Sequence, residues 1–302
     1  MPAAPTVADS AVRRLSWATL GFTVVVILGG AVVRATDSGA GCGESWPRCD
    51  GHILPFTATG ATFIELTHRL MSGMLGIALV ALIVLVYRRH AKGEPVRRAL
   101  NWSAGLFVVE ALIGAALVLF GWVEDDASYG RVAAVAIHLV NTFLLLGALT
   151  LTAYFAGGGR PLDLRRDPTR TRLSLTGAAV MLVIGASGAL NALADTLGDA
   201  APHLLDLRIA HPMMAIAGGG LIFIFTQTSA FAGGGTIGRL RGWVQAVIGL
   251  QFASGFLNIA LLTPVETQVL HLLLADILWV LWIRLGAEVL AVPADELQEI
   301  TV

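Results

Sequence analysis

The sequence predicts an all-α integral membrane protein whose eight transmembrane helices form two tandem, pseudo-symmetric four-helix bundles. Of its 302 residues, 56% are hydrophobic and only 14% are charged, whereas a soluble domain carries about 25% charged residues. The mean hydropathy is +0.75. A spanning helix needs about 20 mostly apolar residues, and eight such stretches follow one another along the chain. They cover approximately residues 15–34, 61–87, 100–120, 132–155, 173–194, 209–231, 243–261 and 267–290.

The composition also excludes several classes of function. The formal net charge is −1, so the chain offers no basic excess that would bind nucleic acid. Two cysteines are too few for a disulfide scaffold, and no Cys/His cluster has the spacing of a zinc site. The first apolar stretch is longer than the roughly 7–15-residue core of a cleaved signal peptide, so we interpret it as a spanning helix. We therefore expect membrane lipid and other membrane-borne components as partners.

The positive charges predict the orientation in the membrane. Cytoplasmic loops are enriched in Lys and Arg, and these residues concentrate after the second, fourth and sixth stretches. The opposite loops are mainly acidic. Both termini are therefore predicted to be cytoplasmic. The cations are Arg88, Arg89, Lys92, Arg97, Arg98, Arg160, Arg165, Arg166, Arg170, Arg172, Arg239 and Arg241.

Short similarities predict that a four-helix unit is duplicated. The segment from Leu28 to Asp37 aligns with the segment from Ile184 to Asp195, and Ile137-His138-Leu139 aligns with Leu270-His271-Leu272. Because four is an even number of spans, the two copies share one topology, with a symmetry axis along the membrane normal. We expect one half over residues 1–155 and the other over residues 156–302, each with its own cavity.

Four histidines lie within the even-numbered stretches, one in each. They are His68, His138, His211 and His271. All four fall about one to two turns after the predicted outer end of their helix, so they share one depth near the outer surface. Two histidines per bundle allow both faces of a porphyrin iron to be ligated. The alternative is that each histidine is a hydrogen-bonded packing residue.

Other charged residues lie beside these histidines. Arg34, Arg69, Arg131 and Arg208 stand at the same level, where guanidinium groups would pair with haem propionates or extend to the interface. Glu65 precedes His68 by three residues and shares its helix face, whereas Arg208 occupies the corresponding position before His211. Two further acids near mid-membrane, Glu110 and Asp276, are predicted to have polar partners or a role in proton transfer.

The long loop of residues 35–60 has no obvious equivalent in the second half. It contains Cys42 and Cys49 and is predicted to lie outside the cytoplasm, where disulfides persist. We expect these two cysteines to form a bridge.

This combination resembles the haem A synthase family, the integral membrane enzymes that oxidise haem O to haem A for terminal oxidases. The resemblance rests on Glu65-Leu-Thr-His68-Arg69, on the histidines of the fourth, sixth and eighth stretches, on the duplicated architecture and on the cysteine pair. It covers nearly the whole chain. It implies a plasma-membrane enzyme with its haem sites near the extracytoplasmic face.

The resemblance also implies roles for individual residues. His68 and His138, with Arg69 and Arg131, would line the pocket for substrate haem O, whereas His211 and His271, with Arg208, would hold a resident haem b. The family reaction converts a ring methyl group to a formyl group with oxygen from water. Glu65 would be essential, as a cation stabiliser or as a proton acceptor. Cys42 and Cys49 would be redox-linked, although a purely structural bridge is the alternative.

Two other classes of function are compatible with parts of this pattern. A dihaem b-type electron-transfer cytochrome would use the same four histidines without making bonds. A transporter would bind its substrate near the midplane, whereas the polar cluster here lies near one surface. As partners, the resemblance implies haem O synthase, oxidase assembly factors and an electron acceptor. A homo-oligomer is compatible with the sequence.

Overall fold

The computed structural model describes residues 8–52, 60–198, 202–204 and 207–293. Within these ranges the chain folds into eight long helices, joined by short turns and 3₁₀ segments, and contains no β-strand beyond isolated bridges. All eight helices are long and apolar enough to cross a membrane, which confirms the predicted all-α membrane fold. They are α1 (Ser10–Ala35), α2 (Ala61–Arg89), α3 (Pro95–Leu119), α4 (Tyr129–Ala156), α5 (Pro168–Leu197), α6 (Leu207–Gln227), α7 (Gly235–Ala260) and α8 (Val265–Leu290).

Polar caps extend several helices beyond their apolar stretches. Asp9 caps α1 by accepting hydrogen bonds from the amides of Ala11 and Val12. Asp167 caps α5 in the same way, with Pro168 in the first turn, where its missing N–H is not needed. Helix α5 therefore begins five residues before the predicted stretch. The sixth predicted stretch is too long, because α6 ends at Gln227 and a short 3₁₀ turn, Ser229–Phe231, follows it.

Each set of four helices forms a closed ring of contacts. In the first half, α1 packs against α2 and α4, while α3 packs against α2 and α4. In the second half, α5 packs against α6 and α8, while α7 packs against α6 and α8. Each of the histidine helices α2, α4, α6 and α8 therefore packs against the two histidine-free helices of its own set. The predicted pseudo-symmetry, the domain boundary at residue 155 and the orientation of the termini stay predictions.

Helices α1, α4, α5 and α8 form the seam between the two rings, where α4 packs against α5 and α8, and α8 also packs against α1. Two tryptophans of α8 fill this seam. Trp279 stacks on Phe143 with ring centroids 5.4 Å apart. Trp282 is almost fully buried and donates from its indole N–H to the Ser174 carbonyl at 3.0 Å. The seam joins both halves into one apolar core.

Candidate functional site

The two histidines of the second half face each other. The ring centroids of His211 on α6 and His271 on α8 are 6.5 Å apart, with the rings at 87°. If one metal ion lay between the two histidines, the distance between the ring centroids would be the sum of two metal–nitrogen bonds, of about 2 Å each, and the distance from each nitrogen to its ring centre. This sum is close to the observed distance between the centroids. By this distance alone, the two rings are far enough apart for one iron to be bound by both imidazoles.

Serine hydroxyls hold both of these histidines at Nδ1. The hydroxyl of Ser187 on α5 lies 3.0 Å from Nδ1 of His211, and the hydroxyl of Ser254 on α7 lies 2.8 Å from Nδ1 of His271. A fixed partner at one ring nitrogen orients the imidazole and leaves the other nitrogen as the metal ligand. The amide of Gln251 contacts Nε2 of His271 at 3.2 Å, so it would have to move aside for iron.

The glycines of neighbouring helices give the histidine rings their space. A Cβ placed at Gly188 would lie 2.9 Å from Cε1 of His211, and one placed at Gly255 would lie 3.3 Å from Cε1 of His271. In the first half, a Cβ at Gly30 would lie 3.1 Å from Cε1 of His68. Gly30, Gly188 and Gly255 therefore leave room for imidazole rings that a larger residue would crowd.

The first-half histidines have different partners. His68 on α2 lies near the carbonyl of Val26 and within electrostatic range of His138, but its Nδ1 makes no well-formed hydrogen bond within the described part of the chain. Nδ1 of His138 on α4 lies 3.1 Å from Oε1 of Glu110, although it is not aligned as a hydrogen bond. In this half a carboxylate takes the place of the serine hydroxyls.

Glu110 on α3 is the polar residue whose role the sequence leaves open. Its carboxylate accepts from the amide of Asn141 at 2.6 Å and from the hydroxyl of Thr142, both one turn after His138 on α4. The predicted polar partner of Glu110 is confirmed. Gln251 stands at the corresponding position of α7, since each lies four residues before a glycine, Gly114 or Gly255. One bundle thus carries an acid where the other carries an amide.

Glu65 is buried and connects helix α2 to the cysteine loop. Its Oε2 accepts the backbone N–H of Cys42 at 2.7 Å. Its Oε1 accepts from Nε of Arg69 at 3.0 Å and also from Nη2 of Arg69. The side chain is therefore an ionic anchor for the loop, one helical turn from His68.

Arg69 binds the other side of the same loop. Its Nη1 donates to the carbonyls of Ser45 and Arg48, each at 2.7 Å. Four of the five guanidinium N–H groups are then used. The prediction that Arg69 binds a haem propionate stays a prediction, and a single N–H remains for that role.

Cys42 and Cys49 form a disulfide, which confirms the predicted bridge. Both cysteines are completely buried and pack against Leu66 of α2, next to Glu65. Residues 53–59 of the same loop lie outside the described residues. The bridge therefore sits directly on the helix that carries His68.

The family profile of COX15-CtaA, described as cytochrome oxidase assembly protein, matches residues 13–283. The chain belongs to this family. The match covers all eight helices from Arg13 to nearly the end of α8, and thus both histidine pairs and the cysteine loop. The resemblance stated from the sequence is confirmed.

Individual relatives match over different lengths. A protein named protoheme IX farnesyltransferase from Thermus thermophilus is 37% identical over 290 residues, which are 91% of this chain but 48% of that protein. Heme A synthase of Lysinibacillus sphaericus is 41% identical over 113 residues, 36% of each protein. Heme A synthase of Bacillus mycoides is 42% identical over 98 residues, 32% of each. The chain thus spans about half the length of the first relative.

The other arginines predicted at the depth of the four histidines are bound by groups of the same chain. Arg131 is buried and donates from Nη1 to the carbonyls of Glu124 and Asp126. Arg208 pairs through Nε with Asp195 at 3.1 Å, and its side chain is 44% exposed. Their roles toward haem propionates stay predictions. Of the two, Arg208 keeps more of its guanidinium accessible.

Arg34 of α1 crosses from the first half to the second. Its Nη1 donates to the carbonyl of Ala192 at 2.7 Å and to the hydroxyl of Thr196 at 3.0 Å, and its Nη2 donates to Oε1 of Gln268 at 2.8 Å. These acceptors lie on α5 and α8. Arg34 therefore joins the two rings at the end of α1, where it contacts α5 and α8.

Asp276 of α8 has a different environment from Glu110. It is completely buried, and neither carboxylate oxygen has a hydrogen-bond partner among the described residues. The indole N–H of Trp279, one turn further along α8, is likewise without a partner there. The polar partner expected for Asp276 is thus not found within the described ranges, and a role in proton transfer stays a prediction.

Proposed function

We propose that this chain is a haem A synthase, which oxidises a methyl group of haem O to the formyl group of haem A. The observation that carries the proposal is the difference between the two histidine pairs. Serine hydroxyls fix the pair His211 and His271, whereas the pair His68 and His138 lies beside Glu110 and next to the disulfide loop. One pair suits a permanent cofactor, and the other suits an exchanging substrate.

The second half would hold a resident haem b. His211 and His271 would hold this haem through Nε2, since their rings lie 6.5 Å apart and serine hydroxyls contact both Nδ1 atoms. When bound, this haem supplies one-electron transfer. Ser187 and Ser254, with the space left by Gly188 and Gly255, would keep both imidazoles oriented toward the iron. This arrangement favours tight retention of the haem.

The first half would receive haem O as substrate. His68 has no comparable hydroxyl partner among the described residues, so its ring is held less firmly and substrate can enter and leave. The Glu110 carboxylate lies 3.1 Å from Nδ1 of His138, and a hydrogen bond formed there on binding of haem O would make the imidazole a stronger electron donor to the iron. An imidazole that donates more electron density stabilises the more oxidised state of the substrate iron. This stabilisation assists the removal of electrons from the porphyrin.

The reaction balances with water as the oxygen source. One methyl group and one water give one formyl group, four protons and four electrons, in two successive two-electron steps. The electrons pass to a membrane electron acceptor. Removing electrons from the methyl carbon makes it electrophilic, so the chain must present a water to it and accept the released protons.

We assign the water-binding role to Oε2 of Glu65. A carboxylate oxygen has two lone pairs. Both lone pairs of Oε1 are used by Arg69, whereas Oε2 has one bond, from Cys42. The remaining lone pair of Oε2 can accept a hydrogen bond from the attacking water and orient it. The adjacent disulfide can carry the two electrons and two protons of each step by becoming a dithiol, which the membrane electron acceptor would then reoxidise.

The cellular setting follows from this reaction. A protein named protoheme IX farnesyltransferase contains a stretch that is 37% identical to this chain over about half of its length, which supports a link between haem farnesylation and the activity proposed here. We propose haem O synthase as the supplier and oxidase assembly factors as further partners. The haem sites would lie near the extracytoplasmic face of the cell membrane.

The test is to identify the porphyrins extracted from the purified protein. The wild type should yield haem b together with haem O or its oxidised products. His211→Ala should lose haem b, and His68→Ala should lose the substrate-derived haem. His90→Ala, which alters a loop histidine, serves as the control. Loss of the same haem from both helix variants would contradict the two-pocket assignment.

One observation favours an electron-transfer cytochrome instead. The Glu65 carboxylate is already engaged by Arg69 and the Cys42 amide, as a purely structural anchor would be. Glu65→Gln separates the two functions. An electron carrier would keep both haems and their reduction, whereas a haem A synthase would accumulate haem O or a partly oxidised product.

A further inference from the structure

A polar cavity lies at the opposite end of the seam from the histidines. It has a volume of about 290 Å³ and is formed by the start of α1, the end of α4 with its following glycines, and the last turns of α8. At about 30 Å³ per liquid water, it has the size of roughly ten waters. A phosphate group with its glycerol fits such a space.

Three guanidinium groups from separate segments converge on this cavity. Arg13 belongs to α1, Arg160 to the loop after α4, and Arg284 to α8. Glu288 pairs with Arg284 at 2.8 Å, and Arg284 also lies over the ring of Tyr154. Within the described ranges, neither Arg13 nor Arg160 has a carboxylate partner. The cavity therefore carries two uncompensated positive charges.

A buried hydroxyl also lines the cavity. Tyr154 is 4% exposed, and its hydroxyl lies near the backbone N–H of Arg160 but has no acceptor for its own proton among the described residues. A buried donor without an acceptor is costly. An anionic oxygen in the cavity would satisfy it and both arginines together.

The cavity opens at the depth of lipid headgroups. Trp17 lines it and is 43% exposed, as is typical of the aromatic residues that mark a membrane–water interface. Arg13 and Trp17 lie near the beginning of α1, and the cavity includes residues just beyond the end of α4. A ligand bound here would keep its polar part at the helix ends and its apolar part along the helices.

We propose that this cavity binds the phosphate group of an anionic phospholipid, such as phosphatidylglycerol. Basic pockets between transmembrane helices are suited to anionic headgroups. Arg13 and Arg160 supply the charge, the Tyr154 hydroxyl donates to a phosphate oxygen, and Trp17 contacts the first part of the acyl chains. Because α1, α4 and α8 all contribute, the lipid links both rings at this end of the seam.

The test is a lipid titration of the delipidated full chain, followed by native mass spectrometry. Wild-type protein should bind one phosphatidylglycerol and should bind phosphatidylcholine at least tenfold more weakly. The double variant Arg13→Gln/Arg160→Gln should lose at least tenfold in affinity for phosphatidylglycerol, since each arginine contributes about 1 kcal/mol. Tyr154→Phe removes only the hydroxyl and should weaken binding several-fold.

The matched control is Arg165→Gln, which removes an exposed arginine of the same loop outside the cavity. This variant should bind phosphatidylglycerol like the wild type. Thermal unfolding of each variant identifies any variant that fails to fold. If the double arginine variant does not fold, the lipid affinity of the isosteric variant Tyr154→Phe is the deciding measurement. Equal affinity for inorganic phosphate and phosphatidylglycerol would overturn the lipid assignment, as would unchanged binding by both cavity variants.

Discussion

The carboxylate of Glu65 accepts a hydrogen bond from the backbone N–H of Cys42, with 2.7 Å between the two atoms. The disulfide loop is thereby anchored to the helix that carries His68, one turn away. Arg69 completes the anchor by binding Glu65 together with the carbonyls of Ser45 and Arg48. A change at Glu65 must therefore affect the loop as well as any chemistry at the haem.

Glu65→Gln should loosen the cysteine loop. The amide keeps the shape of the side chain but loses the ion pair with the mostly buried Arg69, and an unsatisfied buried group costs about 1–3 kcal/mol. We expect a lower melting temperature and faster proteolysis of the loop. Glu266→Gln, an exposed change in the first turn of α8, is the control. An unchanged melting temperature and proteolysis rate would show that the bonds of Glu65 do not stabilise the loop.

Glu110→Gln should make the first histidine pair resemble the second. The variant removes the negative charge beside Nδ1 of His138 and places there the residue type of Gln251. Loss of such a partner to a metal-ligating histidine typically costs about 10–100-fold in metal affinity or activity. We expect a changed visible spectrum and a raised reduction potential of the first-half haem, with the second-half haem unchanged. The reciprocal variant, Gln251→Glu, should lower the potential of the second-half haem; equal shifts at both haems in either variant would contradict the local role.

Ser187→Ala and Ser254→Ala should weaken retention of the haem b that we propose for the second half. Each removes the hydroxyl that fixes Nδ1 of His211 or His271, with a loss of about 10–100-fold in affinity. The measurement is haem b dissociation into an acceptor apoprotein. Ser103→Ala, which removes a buried hydroxyl bonded to the Ala99 carbonyl and to the Thr152 hydroxyl but to no histidine, is the control. Dissociation rates equal to that of the wild type would mean that the hydroxyls do not hold the ligands.

Gly177→Ala should destabilise the seam. A Cβ at Gly177 would lie 2.2 Å from Cζ2 of the buried Trp282, so the tryptophan or helix α5 must move. Overpacking of this kind costs about 1–3 kcal/mol. Thermal unfolding should show the loss, whereas Gly249→Ala, with open space around its Cβ, should melt like the wild type. If both variants have the same melting temperature, the close approach of α5 and α8 at Gly177 does not contribute to stability.

The sequence predicts the helices well because apolar length alone determines a spanning helix. It also predicts the disulfide, since two cysteines in one outer loop have few alternatives. The helix ends are predicted less accurately, because the caps at Asp9 and Asp167 extend helices into polar sequence. Apolar length carries no information about such caps.

The partners of the polar residues are harder to predict. The sequence places Glu65 beside His68 at a spacing of three, whereas the structure pairs it with Arg69 at a spacing of four and with Cys42 in a loop. Glu110 finds its hydrogen-bond donors on another helix, at Asn141 and Thr142. Contacts between helices depend on their rotation about their axes, which the weak amphipathic pattern of a membrane helix does not determine.

The bonds of Arg34 restrict how chimeric proteins can be made within this family. Its guanidinium is supplied by the first half, but all three of its acceptors, Ala192, Thr196 and Gln268, belong to the second. Any residue at position 192 supplies the backbone carbonyl, whereas the hydroxyl and the amide depend on which residues stand at positions 196 and 268. A hybrid that exchanges residues 1–155 between two relatives must therefore transfer positions 196 and 268 with Arg34, or leave a cation without its acceptors where the two halves meet.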